Sequence, residues 1–325
     1  MDIDETNATI LRTLLLDSRT SLTEIAKICG ITPAAVRMRV LRLKEAEVIK
    51  REITIVNPHS IGYKCVVNIG IKTAVENEKE VTEFLKNKFG ETAIFGFLPK
   101  YNVFVVVLMN NMQELAAIIE DLEAHPKVKR VETMIWAEAA YLEHVENLRI
   151  GPKLNLMKSD EGRIRRPNVV SVEEVEMDET DRQIARILTN HSRISFNGIA
   201  DQLKISTKNV IQRYRRLKGT VLTHFTVSLD LTKLGYTAFA FIFIKVANRG
   251  RMSEIYSQLL QIPNMAVAFR MLGAYDLNAT LFVKNFDELF DATERMRRIT
   301  GIDAIDTYLT PVWPEWPPNL FGQLL

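Results

Sequence analysis

The chain has 325 residues, 47% of them apolar and 25% charged, with a net charge of +2. These proportions describe a globular protein long enough for two or more cores, and the near-neutral balance confines any nucleic-acid affinity to local basic patches. The only two cysteines, Cys29 and Cys65, exclude a disulfide framework and a four-thiolate zinc site; the apolar run Phe239–Ile244 is far too short for a membrane span, and the acidic opening MDIDETN lacks signal-peptide features, so a cytoplasmic protein without membrane association is expected.

The first predicted element is an amphipathic helix over Thr6–Leu16, with Ile10, Leu14 and Leu15 inward. After Ser18 and Arg19, Thr20 or Ser21 can cap a second helix, Leu22–Cys29. A tight turn at Gly30 and Ile31 follows, then a third helix with Thr32 as N-cap, Pro33 in its first position, and Val36, Val40 and Leu43 as its buried stripe. Two helices joined by a short glycine turn form a helix-turn-helix pattern. The strand and turn at Ile53–Pro58 read as a wing or hinge. Beyond them the order is strand Lys64–Lys72, helix Glu76–Lys88, strands Thr92–Leu98 and Asn102–Met109, helix Met112–Ala124 and strand Val128–Ala137, which is the ferredoxin-like split βαβ order.

The same order returns at an offset of 174 residues. Asp4–Thr6 matches Asp178–Thr180, Ser18 and Arg19 match Ser192 and Arg193, Ile25 and Ala26 match Ile199 and Ala200, and Val36, Arg39, Arg42 and Leu43 match Val210, Arg213, Arg216 and Leu217. Tyr101 matches Tyr275, and Thr133 matches Thr307. The second sheet region reads Thr237–Val246, Met252–Gln261, Ala266–Met271, Asp276–Val283, Phe286–Arg298 and Ile302–Leu309. The period far exceeds that of a solenoid, so the chain is a duplicated unit. The expected class is α+β, with two winged-helix-like helix-turn-helix domains and two ferredoxin-like βαββαβ (dimeric α/β-barrel-like) domains in tandem. The divisions are a helix-turn-helix domain over 1–60, a sheet domain over 61–144, a linker over 145–176, a second helix-turn-helix domain over 177–233, a second sheet domain over 234–312 and a tail over 313–325. One strand is expected inside the linker at Val169–Val172.

The third helices carry the charge. A helix that reads DNA needs guanidinium groups for phosphates and guanine edges, and small or amide side chains near its N-terminus. Thr32, Ala34, Ala35, Arg37, Met38, Arg39 and Arg42 meet that need in the first copy; Lys208, Asn209, Gln212, Arg213, Arg215 and Arg216 meet it in the second. Arg39 and Arg213 could equally brace the domain. The five histidines, His59, His125, His144, His191 and His224, show no metal-ligand spacing, and no phosphate-cradling glycine motif or nucleophile elbow occurs, so neither a metal nor a cofactor is expected. The tail's Trp313–Pro318 has no counterpart in the first copy and should pack across a sheet edge or subunit surface.

Together these residues resemble the Lrp/AsnC family of transcriptional regulators. The carrying features are the opening helix at Asp4 and Asp178, the Ser-Arg pair, the Ile-Ala pair, the Val-x-x-Arg third helix, the Ile-Gly-Tyr and Leu-Gly-Tyr lead-ins at Ile61 and Leu234, and the turn Gly273–Asp276. The resemblance implies a regulator that binds double-stranded DNA and is modulated by an amino acid or related metabolite. The implied effector residues are Gly273, Tyr275, Asp276 and Thr307, with Pro99 and Asn102 standing for the glycine and aspartate in the first copy. It also implies a homo-oligomer in which the duplication builds a pseudo-dimer of sensing domains inside one chain. Sirohaem decarboxylases share this architecture, and Tyr101–Phe104 resembles their Tyr-Asn-x-x-Phe loop, although Phe97–Lys100 lacks the histidine expected before it and supplies only one lysine of the expected basic residues.

Overall fold

The computed structural model describes residues 3–89, 94–96, 100–137, 148–151 and 174–325, with 94–96 as backbone. The first copy opens with three helices, α1 (Glu5–Leu16), α2 (Leu22–Cys29) and α3 (Pro33–Glu45). Each starts on a side chain that accepts a bond from an otherwise unpaired first-turn N–H: Asp4 from Asn7, Ser21 from Glu24 and Thr32 from Ala35. Next come β1 (Ile49–Val56), β2 (Cys65–Thr73), α4 (Glu78–Phe89), β3 (Ile94–Gly96), β4 (Val103–Met109), α5 (Met112–Ala124) and β5 (Val128–Trp136). The second copy repeats the order with α6 (Glu179–Asn190), α7 (Phe196–Leu203), α8 (Thr207–Leu217), β6 (Leu222–Leu229), β7 (Ala238–Val246), α9 (Met252–Leu259), β8 (Met265–Gly273), β9 (Leu277–Val283), α10 (Phe286–Arg297) and β10 (Ile302–Pro311). Its caps are Asp178, Ser195 and Ser206. The helix-turn-helix corner needs a left-handed residue, and it is Gly30 at φ 66° in one copy and Lys204 at φ 54° in the other.

The two helix-turn-helix units form a pair. β1 and β6 run antiparallel with Ile53 opposite Thr226, so the strand expected to be a wing or hinge joins the two units instead. Ser18 Oγ and Ser192 Oγ lie 2.6 Å apart. Arg19 donates to the carbonyls of Ser192 (2.5 Å) and Ile194 (3.2 Å), and Arg193 donates to those of Ser18 and Thr20. Contacts that return at the repeat offset define a pseudo-two-fold axis through the pair.

The sheet regions fuse into eight strands in the order β10-β7-β9-β8-β5-β2-β4-β3. The seam is β5 against β8, with Met134, Ile135 and Trp136 opposite Gly273, Leu272 and Met271. Side-chain alternation then separates the faces. Val67, Ile69, Ile71, Val103 and Val105 pack under α4 and α5 with Val81, Leu85, Leu115 and Leu122, while Ala240, Ile242, Ile244, Ala279 and Leu281 pack under α9 and α10. The opposite faces meet: Phe104 of β4 lies 6.4 Å from Phe241 and 6.0 Å from Phe243 of β7, ring centroid to centroid. Aromatic rings on alternate residues of β7 therefore close one internal space while aliphatic residues between them face the helices.

Two local departures from the sequence reading follow from packing. β8 extends past Met271 because β5 supplies it with a partner, so Gly273 ends a strand rather than lying in the turn. Part of the expected linker is structured: Leu148 and Ile150 are buried within the core that α1 shares with the second copy, and the Val175 N–H donates to the Ser60 carbonyl at 2.8 Å. The strand expected at Val169–Val172, and Pro99, lie outside the described residues. The tail crosses the β1–β6 pair, with Trp316 and Leu229 exchanging backbone bonds of 2.9 and 2.7 Å.

Candidate nucleic-acid interface

Each third helix is seated by its apolar stripe, Val36 and Leu43 for α3 and Val210, Tyr214 and Leu217 for α8. The seating leaves the opposite face in solvent. Thr32, Ala34, Arg37, Met38 and Arg42 are exposed on α3, and Lys208, Gln212, Arg215 and Arg216 on α8; Ala35 and Asn209 are half-buried. Helical spacing aligns Ala34, Arg37, Met38 and Leu41 as one outward stripe, and Lys208, Ile211, Gln212 and Arg215 as its counterpart. The sequence reading missed Leu41 and Ile211, although their i+4 spacing from Arg37 and from Thr207 was available. Leu41 is 46% exposed, an apolar side chain held in water on the face that presents the arginines.

The cations divide by partner. Arg39 donates to Asp4 at 2.7 Å and to the Asn7 amide oxygen at 3.0 Å, tying α3 to α1. Arg213 donates to Asp178 at 2.7 Å, to Asp181 at 2.8 Å and, through Nε, to Asn209 at 2.7 Å. Arg216 also donates to Asp181, whose side chain is fully buried. The Arg213 guanidinium and the Asp181 N–H hold the Asp178 carboxyl at about 2. Arg39 and Arg213 thus act as braces in this state, while Arg37, Arg42, Lys208 and Arg215 have no carboxylate partner among the described residues.

The four residues implied as effector ligands do not converge. Gly273 sits at the β5–β8 seam, where an added Cβ would come within 2.5 Å of the Thr133 carbonyl. Asp276 accepts from the Val246 N–H at 2.9 Å and from Arg249 Nε at 2.9 Å, so both its oxygens are engaged. Tyr275 donates to Asp306 on the inner sheet face, whereas Thr307, one residue along β10, faces the helix side. A network the sequence reading did not pick out lies beside the seam. Tyr101 donates to Glu132 as Tyr275 donates to Asp306, again at the repeat offset, and Lys100 pairs with Glu132 at 2.9 Å while reaching the Tyr275 hydroxyl at 3.3 Å. Burial and the bond to Glu132 push the Tyr101 hydroxyl far up, and burial and the bond to Asp306 do the same for Tyr275, so both remain protonated donors. In the first copy Asn102 accepts from the Thr73 N–H at 3.1 Å and donates to Glu78, which fixes its amide in the structure.

Comparison with known proteins adds three findings. A profile of the AsnC-type helix-turn-helix domain matches residues 3–44 and 177–218. The HTH-type transcriptional regulator LrpA of Pyrococcus abyssi is 35% identical over 119 residues, covering 37% of this chain and 84% of its own; the HTH-type transcriptional regulator FL11 of Pyrococcus horikoshii is 29% identical over 136 residues, covering 42% and 89%. The crystal structure of the sirohaem decarboxylase NirDL superposes with a TM-score of 0.63 over 97% of this chain and 96% of its own, at 14% identity, a likeness of fold.

Proposed function

On the premise that the chain belongs to the Lrp/AsnC family of helix-turn-helix regulators, we propose that it is a non-enzymatic, sequence-specific DNA-binding transcriptional regulator with two DNA-reading heads in one chain. The observation that carries the reading is the pair of outward stripes on α3 and α8, set about a pseudo-two-fold axis, with Arg37, Arg42, Lys208 and Arg215 lacking carboxylate partners among the described residues. Helices of this kind lie in the major groove, their cations on phosphates and their N-terminal residues against base edges. Thr32, Ala34, Ala35, Met38, Asn209, Gln212 and Arg216 complete the reading face, with Arg39 and Arg213 holding it in place. The expected test result is that the Arg37→Ala/Arg42→Ala/Lys208→Ala/Arg215→Ala protein binds promoter DNA at least about 100-fold more weakly. Its log–log salt slope should be shallower by about 3 to 4, because each lost phosphate contact removes about 0.9. Affinity and slope equal to those of the parent would overturn the assignment.

An amino-acid effector at Gly273, Tyr275, Asp276 and Thr307 would require Asp276 to release Arg249 and the Val246 N–H. The protein is read as a cytoplasmic homo-oligomer; Phe286 and Phe290, four residues apart on α10 and 69% and 65% exposed, supply an apolar face for a second copy. The second reading is an enzyme acting on sirohaem, favoured by the fold likeness along the whole chain. Against it stands the Asn102 amide, already engaged by the Thr73 N–H and by Glu78. Loss of the sirohaem absorbance on mixing, with product formed, would favour that reading over the regulator.

A further inference from the structure

Between the inner sheet faces lies a cavity of about 100 Å³. Its walls are Phe104, Trp136, Phe239, Phe241, Phe269 and Phe282, and the tail closes it with Trp313, Trp316, Pro318 and Leu320. The aromatic rings are interlocked: Phe239 and Trp313 centroids are 4.7 Å apart, Phe282 and Trp316 4.9 Å, and Trp136 and Phe269 4.3 Å. In this lining stands one unmet polar atom. Asn278, on β9, is 3% exposed, and its Nδ2 is buried without a hydrogen-bond partner among the described residues. A buried donor left unpaired costs free energy that a satisfied one does not. Asn278 has no equivalent in the first copy, where Phe104 stands at that position, whereas the other asparagine of the lining, Asn68, is engaged by Trp136 Nε1 at 2.9 Å.

We propose that this cavity binds a small uncharged molecule with one planar ring and one hydrogen-bond acceptor, and that the C-terminal segment relays its occupancy to the helix-turn-helix pair. The ring fills a space lined by π faces, where stacked and edge-on contacts are favourable. The acceptor meets Asn278 Nδ2. No charged side chain lines the cavity among the described residues, so an ionised ligand would lose its hydration uncompensated. The relay runs along one continuous segment: the stretch that covers the ring site is hydrogen-bonded through Trp316 to Leu229 of β6, through Asn319 to the Thr189 carbonyl at the end of α6 (3.1 Å), and through the Leu325 carbonyl to Arg186 of α6 (2.8 Å). A ligand that favours one placement of Trp313 and Trp316 thereby favours one setting of the two reading heads.

This relay rests on the DNA-binding reading; the site itself does not. The chain contains three tryptophans, Trp136, Trp313 and Trp316, and all three line the cavity. Full-length protein carrying fluorotryptophan is titrated with acetophenone, which has a ring and an acceptor, and with ethylbenzene, which has the ring alone. The expected result is saturable shifts of the fluorine resonances, with acetophenone about tenfold tighter. In Asn278→Leu the two ligands should bind alike, and thermal stability should be no lower than the parent's. Linear, unsaturating responses, equal affinities in the parent, or a preference that survives Asn278→Leu would each overturn the site. Saturating acetophenone should change promoter affinity at constant salt by threefold or more in the parent and less in Asn278→Leu. Site binding with unchanged DNA affinity overturns the relay, and fluorine shifts in a protein that binds no DNA would overturn the regulator reading while leaving the site.

Discussion

At the scale of single residues, the two heads are braced unequally. Arg213 holds Asp178 and the fully buried Asp181, while Arg39 holds the half-exposed Asp4 and the neutral Asn7. Removing a partner from a buried carboxylate costs far more than removing one from an exposed pair. Arg213→Ala should therefore lower stability by about 2 kcal/mol, with Arg216 retaining part of the interaction, and Arg39→Ala by less than about 1 kcal/mol, as measured by denaturant melts. The sign with pH follows from Asp178, which sits at about 2 when folded, below an ordinary carboxyl. Its bond stabilises the fold above about pH 4, the unfolded value, and that contribution is lost as pH falls toward 2. An acid titration of the parent should show the loss in this window, and Arg213→Ala should blunt it. Gly273 has a φ of 129° and no room for a Cβ against the Thr133 carbonyl. Gly273→Ala should cost about 2 to 3 kcal/mol by opening the β5–β8 seam, which a drop in thermal midpoint would register; an unchanged midpoint would contradict the seam.

At the scale of elements, periodicity made each helix and most strands legible before any coordinates. Capping residues such as Ser21 and Thr32 bond where the sequence put them. What stayed hidden was the partner of each element. β1 has the alternation of a strand but nothing in it says that it pairs with β6 rather than folding back as a wing. Similarly, Gly273 was read as part of a turn because β5, the strand that extends β8 to include it, is more than 130 residues away in the chain. The exposed pair Phe286 and Phe290 gives α10 a second apolar patch on the flank of its inward stripe of Leu289, Ala292 and Met296. Replacing both phenylalanines with Ser should leave the fold intact and lower the mass found by sedimentation; an unchanged mass would remove α10 from the oligomer interface.

At the scale of the whole molecule, the duplication yields two heads with one frame and unlike faces. Ala34, Arg37, Met38 and Leu41 form the outward stripe of one head, and Lys208, Ile211, Gln212 and Arg215 that of the other, the faces that the proposed function sets against DNA. Two symmetric heads read a palindrome, since half-sites mirror the protein's symmetry. Two unlike heads should select a site with dissimilar halves. Selection from random DNA should return such a site, and exchanging the α3 stripe for that of α8 should move the preference toward a palindrome. Recovery of a perfect palindrome by the parent would contradict the reading of two dissimilar half-sites by one chain.

The sequence by itself determined the duplication, the helix-turn-helix units, the sheet-domain order and the basic third helices, because each is written in local spacing: caps, turns, periods of 3.6 and 2, and a repeat of 174 residues. Only the tertiary structure decided which arginines are spent on carboxylates, that β1 joins β6, that Asp276 is already engaged, and that rings from β4, β5, β7, β8, β9 and the tail surround the Asn278 amide. Those facts depend on which residues distant in the chain come within a few ångströms of one another. Local periodicity sets the face a side chain takes, but the partner on that face is set by how whole elements pack.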